Sequence, residues 1–191
     1  MFSFDAEYVD AAKFGAENKL DVPFLIPDEN RILNDENRKQ ISELFIHYSG
    51  IPAKSWERRI TGQCVAAHFL LMDKIANILG SQPALTLGWV EAGGREFYRF
   101  GQQEVSRWLK EGIGNLTDAK LHIWLTLASM EIIDLTFVPS YIVVNKIPTN
   151  EIGFDCGHWS EFSANRKHHP VVVGNDIVER LGLMGIAIGV F

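Results

Sequence analysis

The chain has 191 residues, of which 47% are hydrophobic and 22% charged, and its formal net charge is −6. This composition is close to that of an ordinary globular protein, which excludes the fibrous and intrinsically disordered classes. No run of lysine or arginine could neutralise successive phosphates, so we expect no nucleic-acid partner.

The length and the ends of the chain set further expectations. A domain typically has about 100–200 residues, so we predict a single domain over 1–191, with a mostly helical N-terminal part over 1–55. No segment reaches about 18 consecutive apolar residues and the N-terminus lacks the order of a secretory signal, so we expect a cytoplasmic protein with no membrane partner. With only two cysteines, Cys64 and Cys156, we expect free thiols. No pattern predicts an oligomeric state.

The first two predicted helices follow a polar, loop-like stretch. Apolar residues recur at helical spacing before Gly50, namely Ile41, Leu44, Phe45 and Tyr48. A second helix is predicted over 64–79. It carries helix-forming residues on nearly every side and stops at Gly80, which is typical of a central, buried helix.

Short β-prone runs follow this helix. The runs over 85–90 and 96–100 flank Ala92-Gly93-Gly94, which predicts a β-hairpin, and a short helix is predicted over 102–110. Strict alternation over 121–127 predicts a strand that places His122, Trp124 and Thr126 on one face. Further strands are predicted over 131–137 and 141–145, and the apolar end, 181–191, is predicted to be a buried terminal strand. Helices followed by antiparallel strands predict an α+β fold.

Cys64 stands at the predicted start of the buried helix. The unpaired N–H groups and positive dipole of a helix N-terminus stabilise a thiolate, which makes a cysteine nucleophilic. Gly62 allows close backbone approach, and the Cys64 N–H could donate to an oxyanion on a bound acyl carbon.

A catalytic thiol needs an imidazole to hold its proton and an acid to orient that imidazole. A three-residue turn between the strands would make paired residue numbers sum to 256 or 258. His122 and Asp134 would then be directly opposite or diagonal neighbours on one face of the sheet. We therefore predict a hydrogen bond from His122 Nδ1–H to the Asp134 carboxylate.

These residues resemble the motifs of transglutaminases. Gly62-Gln63-Cys64 is similar to the Gly-Gln-Cys that opens their core helix, His122-x-Trp124 to their His-x-Trp strand, and Asp134-x-Thr136 to the acid that closes their triad. The order of the three motifs along the chain agrees as well. The resemblance covers about residues 60–137.

The resemblance implies a papain-like core, with the helix headed by Cys64 packed on an antiparallel sheet and a catalytic core over 56–191. It also implies acyl transfer through a thioester on Cys64, with His122 as base and Asp134 as orienting acid, on a peptide, protein or small amide substrate without a cofactor. The chain lacks the extra domains of animal transglutaminases and has Val65 where many of them have Trp. Transfer and hydrolysis therefore both stay open, calcium is not inferred, and a bacterial-type transglutaminase-like peptidase or amidase is the nearer likeness.

Three side chains are candidates for contacts with substrate or oxyanion. Trp56 and Gln63 are side-chain donors that precede Cys64 in sequence, and Trp124 is expected to line the site beside His122.

Competing readings involve the other cysteine and histidines. His68 lies one helical turn after Cys64 and is a rival base, although a buried, hydrogen-bonded histidine is the simpler interpretation. Cys156, His158, His168 and His169 have the ligand types of a zinc site but not its usual spacing, so a polar surface loop is predicted there instead. A non-catalytic binding or scaffold protein that retains the fold is the alternative from another class.

Overall fold

The chain forms a mixed α+β fold around a curled antiparallel sheet. A computed structural model describes residues 2–24, 27–49, 62–114, 120–148 and 153–185. The helices in these ranges are α1 (Phe4–Glu17), α2 (Asp35–Ser49), α3 (Cys64–Leu79), α4 (Gln102–Glu111), α5 (Phe137–Val144), α6 (Trp159–Phe162) and α7 (Ile177–Arg180). The strands are β1 (Ala84–Ala92), β2 (Arg95–Phe97), β3 (His122–Thr126), β4 (Glu131–Asp134), β5 (Asp155–His158) and β6 (Arg166–Val173). Within the described part of the chain, no helix is both long and apolar enough to cross a membrane.

Strand β1 is the centre of the sheet. Its residues 86–92 pair with β6 along one edge. The other edge is shared, because β3 pairs with residues 84–88 and β2 with residues 90–92. Strands β4 and β5 continue the sheet outward from β3, and every pairing is antiparallel.

The two faces of the sheet bury different helices. On one face, Leu87, Ile123 and Ile133 belong to a core cluster that also contains Leu71 and Ile75 of α3. On the other face, buried residues of the sheet pack with the aromatic side chains of α1, in a cluster that includes Phe4, Tyr8, Ala84, Trp124 and Ile132. Because side chains alternate along a strand, the even-numbered residues of β3, which include His122, face away from the cluster that holds α3.

Gly88 allows β1 to pass beneath a tryptophan. A Cβ atom at this position would lie 2.1 Å from the His169 carbonyl oxygen and 2.4 Å from the Trp124 ring. Only a residue without a side chain fits there. Gly88 therefore permits the close contact between β6 and Trp124, which neighbours His122 on one face of β3.

The hairpin between β3 and β4 has the predicted turn. Leu127 N–H donates to the Glu131 carbonyl oxygen at 2.9 Å, which closes a three-residue loop. The registered pairs Leu125 with Ile133 and Thr126 with Ile132 both sum to 258, one of the two predicted values. The predicted helix over 64–79, its end at Gly80 and the hairpin at Gly93-Gly94 are also confirmed.

The predicted strand over 141–145 is wrong, because residues 137–144 form helix α5. The β-branched residues in this segment favour a strand, but tertiary contacts override that preference. The N–H groups of Thr136 and Phe137, at the start of the helix, donate to Asp134 Oδ1 at 3.1 and 3.0 Å. Strand β4 consequently ends at Asp134, three residues before the predicted end.

The polar surface loop predicted around the C-terminal histidines is also wrong. Residues 155–158 and 166–173 are strands β5 and β6, and His168 is buried. Pro170 lies in β6 where the pairing with β1 shifts register, a place where a strand tolerates proline. The predicted terminal strand fails where it can be checked, since residues 181–183 form a turn and 184–185 are helical. Its remainder, 186–191, lies outside the described residues.

Candidate active site

Cys64 is the first residue of α3 and lies at the end of the sheet where β3 begins. Its side chain is 9% exposed, and its Sγ lies 3.9 Å from the Leu121 carbonyl oxygen. The Cys64 sulfur is also one of the groups that raise the pKa of His122, so it lies close to the imidazole. Gly62 has a φ of 80°, a left-handed conformation that suits glycine, just before the helix begins. The structure thus brings together the predicted nucleophile and the predicted base.

His122 is bonded to Asp134 as predicted, but through the other ring nitrogen. The Nε2 atom lies 2.7 Å from Asp134 Oδ2, whereas the prediction used Nδ1. Since Nε2 is occupied by the carboxylate, Nδ1 is the nitrogen left for the sulfur. Both side chains are buried, with His122 only 2% exposed, and they are the diagonal neighbours that the strand register requires.

Asp134 has a full set of hydrogen-bond donors. Its Oδ2 lies near Nε2 of both His122, at 2.7 Å, and His168, at 2.9 Å. Its Oδ1 accepts the two backbone N–H groups that begin α5. A buried carboxylate needs such compensation, because an unpaired charge in the interior is strongly unfavourable.

This arrangement shifts the protonation equilibria of the pair. Burial on its own raises the pKa of the Asp134 carboxyl, but the charge of His122 and the hydrogen bonds from both imidazoles hold it well below its usual range. Burial on its own lowers the pKa of His122, but the charge and hydrogen bond of Asp134, together with the Cys64 sulfur, raise it to about 10. At neutral pH the His122 ring is therefore an imidazolium beside the Asp134 carboxylate.

His68, the rival base, is held by backbone contacts. Its Nδ1–H donates to the Cys64 carbonyl oxygen at 2.8 Å, and its Nε2 accepts the Leu135 N–H at 2.9 Å. Burial lowers the pKa of His68 to about 4, against the opposing effect of Asp134. The interpretation of His68 as a buried, hydrogen-bonded histidine is confirmed. With both nitrogens occupied, it has none left to take a proton from the thiol.

Two neighbours of the site were missed in the sequence. His168 shares the Oδ2 atom of Asp134 with His122. Tyr98 stacks on the His122 ring with a centroid distance of 5.2 Å, and its backbone has a φ of 62°, which is unusual for an aromatic residue. Alternation along an extended chain predicts that His168 and His169 point to opposite sides, but no sequence signal marks Tyr98.

The three predicted contact residues have different outcomes. Trp56 lies outside the described residues. Gln63 occupies the N-cap position of α3 without a capping hydrogen bond from its side chain, and its Oε1 is buried without a hydrogen-bond partner in the described part of the chain. Trp124 lies beside His122, but it is 0% exposed and its indole N–H already donates to Thr126 Oγ1 at 3.1 Å. It forms a wall behind the imidazole.

The residues of the alternative zinc site go to separate partners. His158 Nδ1 bonds Ser160 Oγ at 2.7 Å, His168 bonds Asp134, and His169 Nδ1 lies 2.8 Å from Glu7 Oε2. Cys156 packs against the main core cluster. Within the ranges the structure describes, no group of three or more histidine, cysteine, aspartate or glutamate side chains is placed to hold a metal ion.

Two open depressions in the described surface have walls that do not include Cys64. They border the β1–β2 hairpin and the start of β6, where Gly93, Asn165 and Arg166 form part of their walls. In the candidate site the half-buried Tyr98 lies over the His122 ring. No family model, no curated protein and no solved structure matches this chain.

Proposed function

We propose that the chain is a thiol-dependent acyl-transfer enzyme of transglutaminase-like type that hydrolyses an amide or peptide bond through a thioester on Cys64. The observation that carries the proposal is the buried row of Cys64, His122 and Asp134. In this row the His122 imidazole lies 2.7 Å from the Asp134 carboxylate, and the Cys64 sulfur contributes to the raised pKa of the same imidazole. An imidazole steadied by an acid is the usual means of activating a cysteine.

The reaction would proceed by two acyl transfers. The Cys64 sulfur attacks the carbonyl carbon of the amide, while His122 holds the thiol proton. As the C–N bond breaks, His122 gives that proton to the departing amine, leaving a thioester. Water then attacks the thioester with His122 accepting its proton, the C–S bond breaks, and the carboxylic acid leaves as the thiol is restored.

Helix α3 supplies stabilisation for the charge that develops on the carbonyl oxygen. The first N–H groups of a helix have no acceptor within it, and Cys64 is the first residue of α3. These N–H groups and the positive end of the helix dipole favour an oxyanion next to the sulfur. The Gln63 side chain is adjacent, and its buried Oε1 has no hydrogen-bond partner among the described residues.

The motifs in the sequence agree with this proposal. Gly62-Gln63-Cys64, His122-x-Trp124 and Asp134-x-Thr136 resemble transglutaminase motifs, and they lie on a helix start and two neighbouring strands. A papain-like core is the finer classification that this arrangement supports.

A non-catalytic scaffold that retains the fold is the second candidate. Cys64 is only 9% exposed, and Tyr98 covers one face of the His122 ring. Under this alternative the same polar row would serve only to hold α3 against the sheet.

Alkylation by iodoacetamide distinguishes the two candidates, because the chain contains its own control thiol. Burial raises the pKa of Cys156 to about 12, so this thiol should react slowly. The enzyme proposal predicts that Cys64 is alkylated at pH 7 at least about 100-fold faster than Cys156, and that His122→Ala slows Cys64 by about 100-fold or more. Rates are read for each cysteine by peptide mass spectrometry. Slow labelling of Cys64 that His122→Ala leaves unchanged would contradict the enzyme proposal and favour the scaffold.

A further inference from the structure

Asp134 is bonded to a second imidazole, that of His168, which the proposed reaction does not use. His168, from β6, places Nε2 at 2.9 Å from the same Oδ2 atom that His122 contacts at 2.7 Å. The two histidines come from strands on opposite edges of β1. Their convergence on one oxygen atom is therefore a product of the curled sheet and not of local sequence.

The surroundings of His168 are mostly aromatic. The ring is 1% exposed and makes edge contacts with Trp124, Phe137 and Phe162 at centroid distances of 5.1, 6.3 and 5.6 Å. An imidazole in such a place usually has a specific polar partner, since burying an unpaired polar group is unfavourable.

The charged groups facing His168 fix its hydrogen-bonding pattern. Asp134 accepts from Nε2, while Asp155 Oδ2 lies 3.9 Å away and is already bonded by the Arg166 side chain at 2.9 Å. The Nδ1 atom is buried and has no hydrogen-bond partner in the described part of the chain. This geometry fits an N–H donor at Nε2, because a proton on Nδ1 would be a buried donor without an acceptor among the described residues.

A second hydrogen-bond donor on Asp134 Oδ2 weakens the attraction of this oxygen for the first donor, His122. When Oδ2 shares its negative charge between two N–H groups, it attracts the His122 proton less strongly than if His122 were its only partner. The second bond also restricts rotation of the carboxylate, whose Oδ1 is fixed by the start of α5.

We propose that His168 is a positioning residue of the site, which fixes the Asp134 carboxylate and moderates its hold on the His122 proton. The proposal rests on the proposed function for its catalytic meaning. His168 itself lies behind Asp134, with the carboxylate between it and His122, and acts only through that carboxylate.

The test uses the full-length chain with Cys64→Ala, so that the titration of His122 is followed without a neighbouring thiol. In this background, 15N NMR of the histidine rings is compared for His168, His168→Met and His168→Gln. Methionine keeps apolar packing but removes the donor, whereas the glutamine amide can donate from the place of Nε2. Should the methionine variant not fold, His168→Leu replaces it.

We expect the His122 titration midpoint to rise by at least about half a pH unit in the methionine or leucine variant, because Oδ2 then has one donor instead of two. In the glutamine variant the midpoint should stay near that of the parent. The parent spectrum should also show His168 protonated at Nε2 and bare at Nδ1.

An unchanged His122 midpoint in the apolar variant, or His168 protonated at Nδ1 alone in the parent, would overturn the proposal. Failure of the enzyme proposal is detected separately, since it depends on alkylation of Cys64 in the unsubstituted chain. A scaffold with an unreactive thiol could still show the His168 effect, and a reactive thiol could still lack it.

Discussion

The two ends of β4 each bury a carboxylate, and their partners differ in kind. At one end, Glu131 is 1% exposed and its Oε2 accepts the N–H groups of Ile32 and Leu33 and the hydroxyl of Ser129, at 2.8, 3.0 and 2.6 Å. None of these donors titrates. At the other end, Asp134 is bonded to two imidazoles. A carboxylate whose partners do not titrate has a structural role, whereas one bonded to imidazoles can take part in proton transfer.

Substitution of each carboxylate should separate these roles most sharply in the reactivity of the thiol. We expect Asp134→Asn to slow alkylation of Cys64 at pH 7 by about 100-fold or more, because the His122 imidazolium loses its counter-charge. Glu131→Gln should leave the rate per folded molecule within a few-fold of the parent. The measurement is peptide-resolved labelling, normalised to the folded fraction by circular dichroism. Equal losses in the two variants would show that β4 acts only as a structural element.

The role of Glu131 should be visible in stability rather than in thiol reactivity. Glu131→Ala leaves three donors near residues 32, 33 and 129 without their acceptor, and we expect it to lower the free energy of unfolding by about 2–4 kcal/mol. The control is Glu43→Ala on α2, whose side chain is 65% exposed and lies 3.9 Å from Lys39. That exposed pair should contribute less than about 1 kcal/mol. Urea unfolding of both variants checks the result. Similar losses of unfolding free energy in the two variants would contradict the structural role of Glu131.

A smaller effect concerns acid stability and the third histidine near Asp134. The pKa of His68 is about 4 in the folded chain and about 6.5 when exposed, so the unfolded chain binds a proton that the folded chain does not as the pH falls from 6.5 to 4. The contribution of His68 is thus complete above 6.5 and is lost as the pH falls through 4. His122 adds little slope in this window, because its raised pKa keeps it protonated in the folded chain and the unfolded chain is also mostly protonated below about 6.5.

We therefore expect His68→Gln to flatten the loss of stability between pH 6.5 and 4 by up to about 1.4 kcal/mol per pH unit. Glutamine can still donate to the Cys64 carbonyl oxygen and accept from Leu135. Denaturant titrations at several pH values measure the slope. An unaltered slope in the variant would show that His68 is not the group that links acid to unfolding.

The sequence predicted those parts of the site that depend on local periodicity. The helix that begins at Cys64 and the diagonal placement of His122 and Asp134 follow from helical spacing, strand alternation and the length of a turn. The choice between Nδ1 and Nε2 could not be predicted, because it depends on where the ring lies between its two partners.

The missed parts depend on contacts between distant segments. Helix α5 has β-branched residues, and its first N–H groups are bonded by Asp134, a contact that no propensity contains. Strand β6 begins with basic and histidine residues, a composition typical of a surface loop. His168 is nevertheless buried, because its ring bonds the Asp134 carboxylate of β4. Tyr98 reaches the site through a left-handed backbone, which is rare outside glycine and asparagine.

The two oxygens of the Asp134 carboxylate bind different partners, and this limits how the site could be altered by design. Its Oδ1 accepts the N–H groups at the start of helix α5 and its Oδ2 contacts the two imidazoles, so both oxygens must be acceptors at once. An amide of the same length offers one acceptor and one donor, and whichever way it is turned, one set of partners meets N–H with N–H. Any attempt to retune the imidazole electrostatically would therefore do better to change the donors around Asp134 and leave the carboxylate itself in place.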